Sequence, residues 1–243
     1  MSISVIIPFT KGEENRQKGL VTLLDCIKRQ TYKDYELILA EMTRDGSLVY
    51  LPEKIEKRIA LRYDGIFNKS WVINHAVKKA THEHVLVIDA DTLFEDDYFQ
   101  CVVDYYEKYK NGFFVAYTTV HFHQGRDEPT PRSLQATYIR AAAHAFFFTK
   151  KFFWSIGGMN EKYFGYGAED QDLWYRAQYV EKILVDMPYD IWHTYHDWHP
   201  KDSSFPLNPK RVPLLDETKR DPRSEIDRLV KIQEHLGGDK PYA

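Results

Sequence analysis

The chain has 243 residues, which suits one large α/β domain ahead of two small ones, and at 43% hydrophobic and 28% charged it can bury a sizeable core. Its net charge of −3, with lysine and arginine spread along the sequence, argues against a nucleic-acid binder, which carries a basic stripe. Only two cysteines occur, Cys26 and Cys101, and their apolar neighbours make them small buried hydrophobes rather than a disulfide.

The N-terminal run MSISVIIPF lacks the basic n-region and long apolar h-region of a signal peptide. No stretch approaches the roughly 18 apolar residues of a membrane span. A cytoplasmic protein is expected, with peripheral membrane association left open. Ser2 to Phe9 reads as a short buried strand, because Val5-Ile6-Ile7 is a continuous apolar run halted by Pro8. Leu20, Leu23, Leu24 and Ile27 recur at helical spacing and predict an amphipathic helix over about residues 13–30. Tyr35 to Ala40 is a second buried strand, followed by a short strand near Ile59 to Arg62 and a helix from about Lys69 to Ala80. His84 to Ile88 is a further strand, ending at Asp89-Ala90-Asp91. The alternation predicts an α/β fold with right-handed crossovers and a mostly parallel central sheet flanked by helices. Ligands bind such sheets at the carboxyl ends of the strands.

Asp96-Asp97 reads as a solvated helix start. Phe113 to Thr119 and Ala145 to Thr149 read as strands, with a polar, proline-containing loop from His121 to Ser133. Glu169 to Val180 is a helix with Leu173, Ala177 and Val180 on one face. Residues 200–220 are polar and proline-rich and predict an extended wrap-around segment. Asp221-Pro222 is an N-cap with proline at the first helical position, opening a last helix that carries Ile226, Leu229 and Val230 and is stopped by Gly237-Gly238.

Three groups of residues carry chemistry. Asp89 and Asp91 sit on a tight turn at a strand end, where two carboxylates hold a hard divalent cation, Mn²⁺ or Mg²⁺, without filling its coordination sphere. Such a cation would neutralise a nucleotide diphosphate as its bond to a sugar breaks. A bare Asp-x-Asp is common, and it is the position that gives this one meaning.

Gly157-Gly158 to Asp172 holds four glycines, several aromatics and the acids Glu169, Asp170 and Asp172. Gly165 and Gly167 flank Tyr166 and suggest a bent backbone that presents the ring into a cleft. The acids open a helix, where they satisfy its dipole; alternatively Asp170 is a general base for an acceptor hydroxyl and Glu169 orients that hydroxyl. Helix-end placement lowers the Asp170 pKa while neighbouring charges raise it, and the sequence leaves the balance open. His193, His196 and His199 fall within seven residues, and imidazole there would favour Mn²⁺ over Mg²⁺. One of them, His193 first and His196 next, is expected to complete the Asp91 metal site.

With these residues in place, the sequence resembles GT-A glycosyltransferases of the family 2 type over about residues 3 to 196. Its C-terminal half is similar to the galactosyltransferase-like and N-acetylgalactosaminyltransferase-like group. Ser4 to Phe9 resembles the first strand, which contacts the nucleotide and implies Pro8 there; Gln30 to Glu36 (QTYKDYE) is similar to the link into the second strand. Ile66-Phe67-Asn68-Lys69-Ser70, with Asn74 beyond, looks like the Phe-Asn-Arg-Ala segment of β-1,4-galactosyltransferases and implicates Phe67 and Lys69 in holding UDP. Lys69 stands where that family has arginine, which alters the phosphate geometry available.

Asp89-Ala90-Asp91 matches the DxD motif, implying Asp89 and Ala90 at the donor and Asp91 with Asp89 at the metal. Phe164 to Asp172 resembles Trp-Gly-Trp-Gly-Gly-Glu-Asp, implying Tyr166 near the donor, Glu169 at the acceptor and Asp170 as base. Tyr166 replaces tryptophan and Ala168 replaces glycine. His193 resembles the downstream metal histidine. The resemblance implies one domain over residues 1–199, its nucleotide half ending at 91 and its acceptor half running from 92, with a C-terminal segment over 200–243. It also implies inverting transfer from a UDP-sugar to a glycan or other hydroxyl acceptor. A retaining enzyme of the same fold, a sugar nucleotidyltransferase and a non-catalytic nucleotide-sugar-binding module are the alternatives.

Overall fold

Val5 lies at the centre of the sheet, between Leu37 and Leu86, in a strand whose residues Ile3 to Phe9 are all buried. The computed structural model describes residues 1–11, 14–52, 54–117, 119–123, 134–139, 144–181, 193–197, 206 and 208–242. Strand β1 (Ile3–Thr10) pairs in parallel with β2 (Tyr35–Thr43) on one side and β4 (His84–Ile88) on the other. β3 (Lys57–Arg62) extends the parallel side, and β9 (Ala145–Thr149) and β6 (Phe113–Val115) add antiparallel strands beyond β4, giving the order β3-β2-β1-β4-β9-β6. The sheet is mostly parallel, as the sequence predicts. Near-continuous apolar runs make this possible, because both faces are covered.

Helix α1 (Glu14–Arg29) buries Leu20, Leu23, Leu24 and Ile27, the stripe expected from its spacing. α2 (Lys69–Lys79) packs on β1 and β2, and α3 (Tyr98–Tyr109) meets the sheet through rings such as Tyr106 against Phe147, 5.2 Å between centroids. α4 (Lys150–Ser155) follows β9 directly. α5 (Glu169–Val180), α6 (Arg211–Arg220) and α7 (Pro222–Lys231) pack against one another. Among the described residues no helix is long and apolar enough to cross a membrane.

A second sheet has the order β5-β10-β7-β8, formed by β5 (Thr92–Phe94), β7 (Thr119–His123), β8 (Leu134–Ile139) and β10 (His193–Asp197). Only Asp89, Ala90 and Asp91 separate β4 from β5, so the chain leaves one sheet and enters the other within that turn.

Several expectations change. The strand expected over Phe113–Thr119 is two strands in different sheets, and His121 to His123, expected in a loop, continue β7; the remainder of that loop lies outside the described residues. Residues 211–220 form α6 rather than an extended segment, because Pro213 falls in the first helical turn, where a missing N–H breaks no intrahelical bond. Val230 is 43% exposed although Ile226 and Leu229 of the same helix are buried. The α7 start is as read: the Asp221 carboxylate accepts from the Ser224 N–H at 3.0 Å, with Pro222 at the first position.

Polar side chains fasten these layers. Gln30, fully buried, donates to the Glu95 carbonyl and accepts from the Phe99 N–H, both at 2.8 Å, tying the end of α1 to the segment leaving β5. Glu36 on β2 accepts from the Ser4 hydroxyl (2.6 Å), the Thr81 N–H (2.5 Å) and Lys57 Nζ (3.0 Å), joining three strands and the turn before β4. Burial alone would raise its pKa, but these bonds outweigh it and hold the carboxyl at about 2 against an ordinary 4.5.

A carboxyl with a depressed folded pKa stabilises the fold above its unfolded value and loses that contribution as pH falls through the folded one. Denaturant unfolding should therefore show Glu36→Gln less stable than the parent at neutral pH, with the gap closing between about pH 4.5 and 2. A gap independent of pH would refute the ionic account.

Candidate active site

Three elements meet at the carboxyl ends of β1 and β4. From β4 come Asp89, Ala90 and Asp91, where the Thr92 N–H closes onto the Asp89 carbonyl at 3.1 Å and the Asp89 N–H donates to the His144 carbonyl at 2.8 Å. Gly19 of α1 lies against this turn: a Cβ there would stand 3.4 Å from the Ala90 carbonyl oxygen and 3.6 Å from Asp91 Cβ. Pro8 is buried on β1, beyond the last β1 residue that pairs with β4, Ile6.

From α2 comes Lys69, its first residue. Buried Asn68 caps that helix by accepting from the Trp71 N–H at 2.9 Å while its own amide donates to the Glu161 carbonyl at 2.7 Å. The Lys69 ammonium lies 2.6 Å from Asp89 Oδ1 and 3.7 Å from Glu169 Oε1, with its side chain 13% exposed. The Phe67 ring packs in the core, and its carbonyl accepts from the Gly165 N–H at 2.8 Å.

From α5 come Glu169 and Asp170. The preceding loop reaches them through Gly157, Gly158, Gly165 and Gly167, all at positive φ, and through Ala168 at φ 77°. An alanine in that conformation costs about 1 kcal/mol. Tyr166 is 53% exposed, and its N–H donates to the Pro206 carbonyl at 3.2 Å. Asp172 separates from its neighbours: it is fully buried, paired with Arg176 at 2.7 Å and bonded by the Thr218 hydroxyl at 2.6 Å. It anchors the helix, while Glu169 and Asp170 face Lys69.

The electrostatics follow from crowding. Burial, then the charges of Asp170 and Asp89, lift the Glu169 carboxyl to about 7, although Lys69 opposes them. Burial likewise raises Asp170 and Asp89, the latter also through Asp91 and Asp170. Burial would lower Lys69, but Asp89, Glu169 and Asp170 outweigh it and raise its pKa. The question the sequence left open for Asp170 thus has its answer: desolvation outweighs both Lys69 and the N–H groups of the helix start.

Sequence reasoning missed Tyr117 and His144, whose rings lie 5.9 Å apart; burial, with a contribution from the charges of Asp170 and Asp89, pushes the Tyr117 phenol up. Nothing in their strand-end context distinguishes them from core aromatics.

Asp89, Glu169 and Asp170 crowd around Lys69, with Asp91 acting on Asp89, an excess of negative charge that suits a hard divalent cation. Among the described residues no three acidic, cysteine or histidine side chains form a ready-made metal group. A hard cation can also be held by one or two carboxylates, water and substrate phosphate. Asp89 and Asp91 fit that role. The side chains of His193 and His196, and all of His199, lie outside the described residues. The β10 backbone places His196 opposite Thr92, the residue after Asp91, and pairs His193 with Thr119.

Residues 4–167 match the profile of the family described as Glycosyl transferase family 2. The chain is 25% identical over 137 residues to the amylovoran biosynthesis glycosyltransferase AmsB of Erwinia amylovora, covering 51% of this chain and 43% of that protein. It therefore spans less than half the length of that relative. Among solved structures it resembles S. aureus TarS in complex with UDP-GlcNAc, with a TM-score of 0.59, 14% identity and coverage of 95% of this chain and 70% of the other. It also resembles the catalytic domain of Drosophila β1,4-galactosyltransferase 7 with xylobiose, with a TM-score of 0.53, 15% identity and coverage of 93% and 83%. A variant of that Drosophila enzyme was solved with manganese, UDP-Gal and xylobiose. At these identities the structural likenesses establish the fold.

The loop geometry sets one expectation. A Cβ on Gly165 would lie 2.0 Å from the Pro206 carbonyl oxygen at a φ of +70°. Gly165→Ala should lower stability by about 1–3 kcal/mol and reduce turnover of a bound substrate more than Ala168→Gly, which relieves strain. Equal thermal melts for Gly165→Ala and the parent would show that this contact is dispensable.

Proposed function

Starting from the membership of this chain in glycosyl transferase family 2, we propose that it transfers a hexose or N-acetylhexosamine from a UDP-sugar to a hydroxyl acceptor, with inversion at the anomeric carbon. The observation that carries this is the Lys69 bridge: one ammonium spans Asp89 at the end of β4 and Glu169 at the start of α5, so a donor-side and an acceptor-side carboxylate share one cleft. The UDP-GlcNAc bound by TarS and the UDP-Gal bound by the Drosophila enzyme support a nucleotide-sugar donor. The name of AmsB supports a growing polysaccharide as acceptor.

Each residue has a part. Asp89 and Asp91 would hold the divalent cation, Mn²⁺ first and Mg²⁺ second, which neutralises the diphosphate and stabilises it as leaving group; manganese in the Drosophila complex supports this. Lys69 supplies a further positive charge to the diphosphate. The exposed Tyr166 ring offers a flat apolar face beside the donor sugar. Asp170 accepts the proton of the acceptor hydroxyl as that oxygen bonds to the anomeric carbon. Its raised pKa makes it a stronger base than a solvated aspartate. Glu169 accepts a hydrogen bond from the same hydroxyl and orients it. One observation favours a second assignment: the Glu169 carboxyl lies at about 7, where a general base works best, so Glu169 is the alternative proton acceptor.

Donor turnover should vanish on chelation and return with Mn²⁺; turnover indifferent to EDTA would remove the cation from the scheme. Asp170→Asn should reduce transfer by about 10²–10⁴-fold, and a larger loss in Glu169→Gln would exchange the two roles. A carboxyl with a raised folded pKa costs the fold stability as pH climbs through that value and nothing below the ordinary carboxylate range. Asp170→Asn should therefore melt at or above the parent temperature near neutrality, and the difference should disappear in acid. A variant less stable than the parent at neutral pH would contradict the crowding described above.

A further inference from the structure

Lys69 stands where a second cation is wanted. Its ammonium is 2.6 Å from Asp89 Oδ1, a hydrogen-bonded ion pair, and it leans on Glu169 at 3.7 Å. The helix that carries it cannot slide away: Asn68 is fixed between the Trp71 N–H and the Glu161 carbonyl, and Asn74 one turn later is bonded to Met159 and to the Glu161 carboxylate. Lys69 can therefore leave Asp89 only by turning its own flexible side chain. A divalent cation on Asp89 and an ammonium 2.6 Å from the same carboxylate repel strongly in so enclosed a cleft.

We propose that Lys69 is a built-in counter-ion that competes with the divalent cation for Asp89 while the donor site is empty, and gives way when a nucleotide diphosphate arrives to take its charge. This rests on the assignment of a nucleotide-diphosphate donor and a cation at Asp89 and Asp91. The consequence is positive coupling: the cation binds weakly alone and tightly with the nucleotide, and Lys69 is the positioning residue that makes it so. An arginine here would grip a carboxylate or a phosphate with a rigid fork, whereas a single ammonium on a flexible stem can pass from one to the other.

The test measures Mn²⁺ binding to the full chain by calorimetry and by loss of the free-ion EPR signal, with and without UDP. Without UDP, Lys69→Gln should bind Mn²⁺ about tenfold or more tightly than the parent, within the usual 5–150-fold range of such couplings. UDP should strengthen Mn²⁺ binding much more in the parent than in the variant. Lys33→Gln, which removes an exposed lysine whose ammonium donates to the Lys28 carbonyl, should bind Mn²⁺ as the parent does and so controls for net charge. Mn²⁺ affinity that is equal or weaker in Lys69→Gln overturns the proposal.

The parent protein gives an independent arm that needs no variant to fold. Acetylation of Lys69, followed by peptide mass spectrometry, should speed up when Mn²⁺ alone is added and slow again with UDP and Mn²⁺ together. Labelling indifferent to Mn²⁺ also overturns it. If the parent turns over donor only with Mn²⁺ yet these shifts are absent, the counter-ion role alone fails. If Mn²⁺ binds neither alone nor with UDP, the cation assignment falls and takes this proposal with it.

Discussion

Desolvated carboxylates repel one another, and the fold holds three half-buried ones, Asp89, Glu169 and Asp170, around the ammonium of Lys69, with Asp91 beside Asp89. Removed from water, each would take up a proton before sharing so small a space, which is why burial leads the causes that raise Asp89, Glu169 and Asp170. Such a site is incomplete in charge. It favours a ligand that brings positive charge with it, as the metal–diphosphate proposed above would.

Repulsion of this kind persists only if the backbone is prevented from relaxing. At the end of β4, the turn carrying Asp89 and Asp91 is held at both ends by sheets and from one flank by Gly19. At the start of α5 the restraint comes from residues of α6, α7 and beyond. Thr218 of α6 bonds the buried Asp172–Arg176 pair, Leu229 of α7 fills the space beside Gly157, and Glu225 accepts from the Asn160 amide at 2.7 Å. The buried Glu161 carboxylate accepts from the Gly237 N–H (2.5 Å) and the Tyr242 N–H (2.7 Å) as well as from Asn74 (2.8 Å). Residues 208–242 lie beyond the stretch that matches the family profile, yet they buttress the helix on which Glu169 and Asp170 stand.

Much of the core was legible. The apolar runs of β1, β2 and β4, the stripe of α1 and Leu173 and Ala177 of α5 are local patterns set by burial, which survive in a linear sequence; Val180, expected on the same α5 face, is 53% exposed. β10 was not legible: its residues His193 to Asp197 are polar, and its place depends on backbone bonds to β5 and β7, which leave no mark in composition. Short β5 is too brief to show a period, and β6 was read only as part of one longer strand with the start of β7. The proline of α6 reads as a helix breaker until its position in the first turn is known.

For the site, the order of residue types along the chain determined which carboxylates stand at a strand end and which open a helix, because both placements follow from local periodicity and from the glycines that break it. That order could not tell Asp172 from Glu169 and Asp170, three acids within four residues. Tertiary structure decided it, by turning Asp172 onto Arg176 and Thr218 and the other two toward Lys69. It also decided the direction of every shifted pKa here, since desolvation and Coulomb forces depend on distances between residues far apart in the chain.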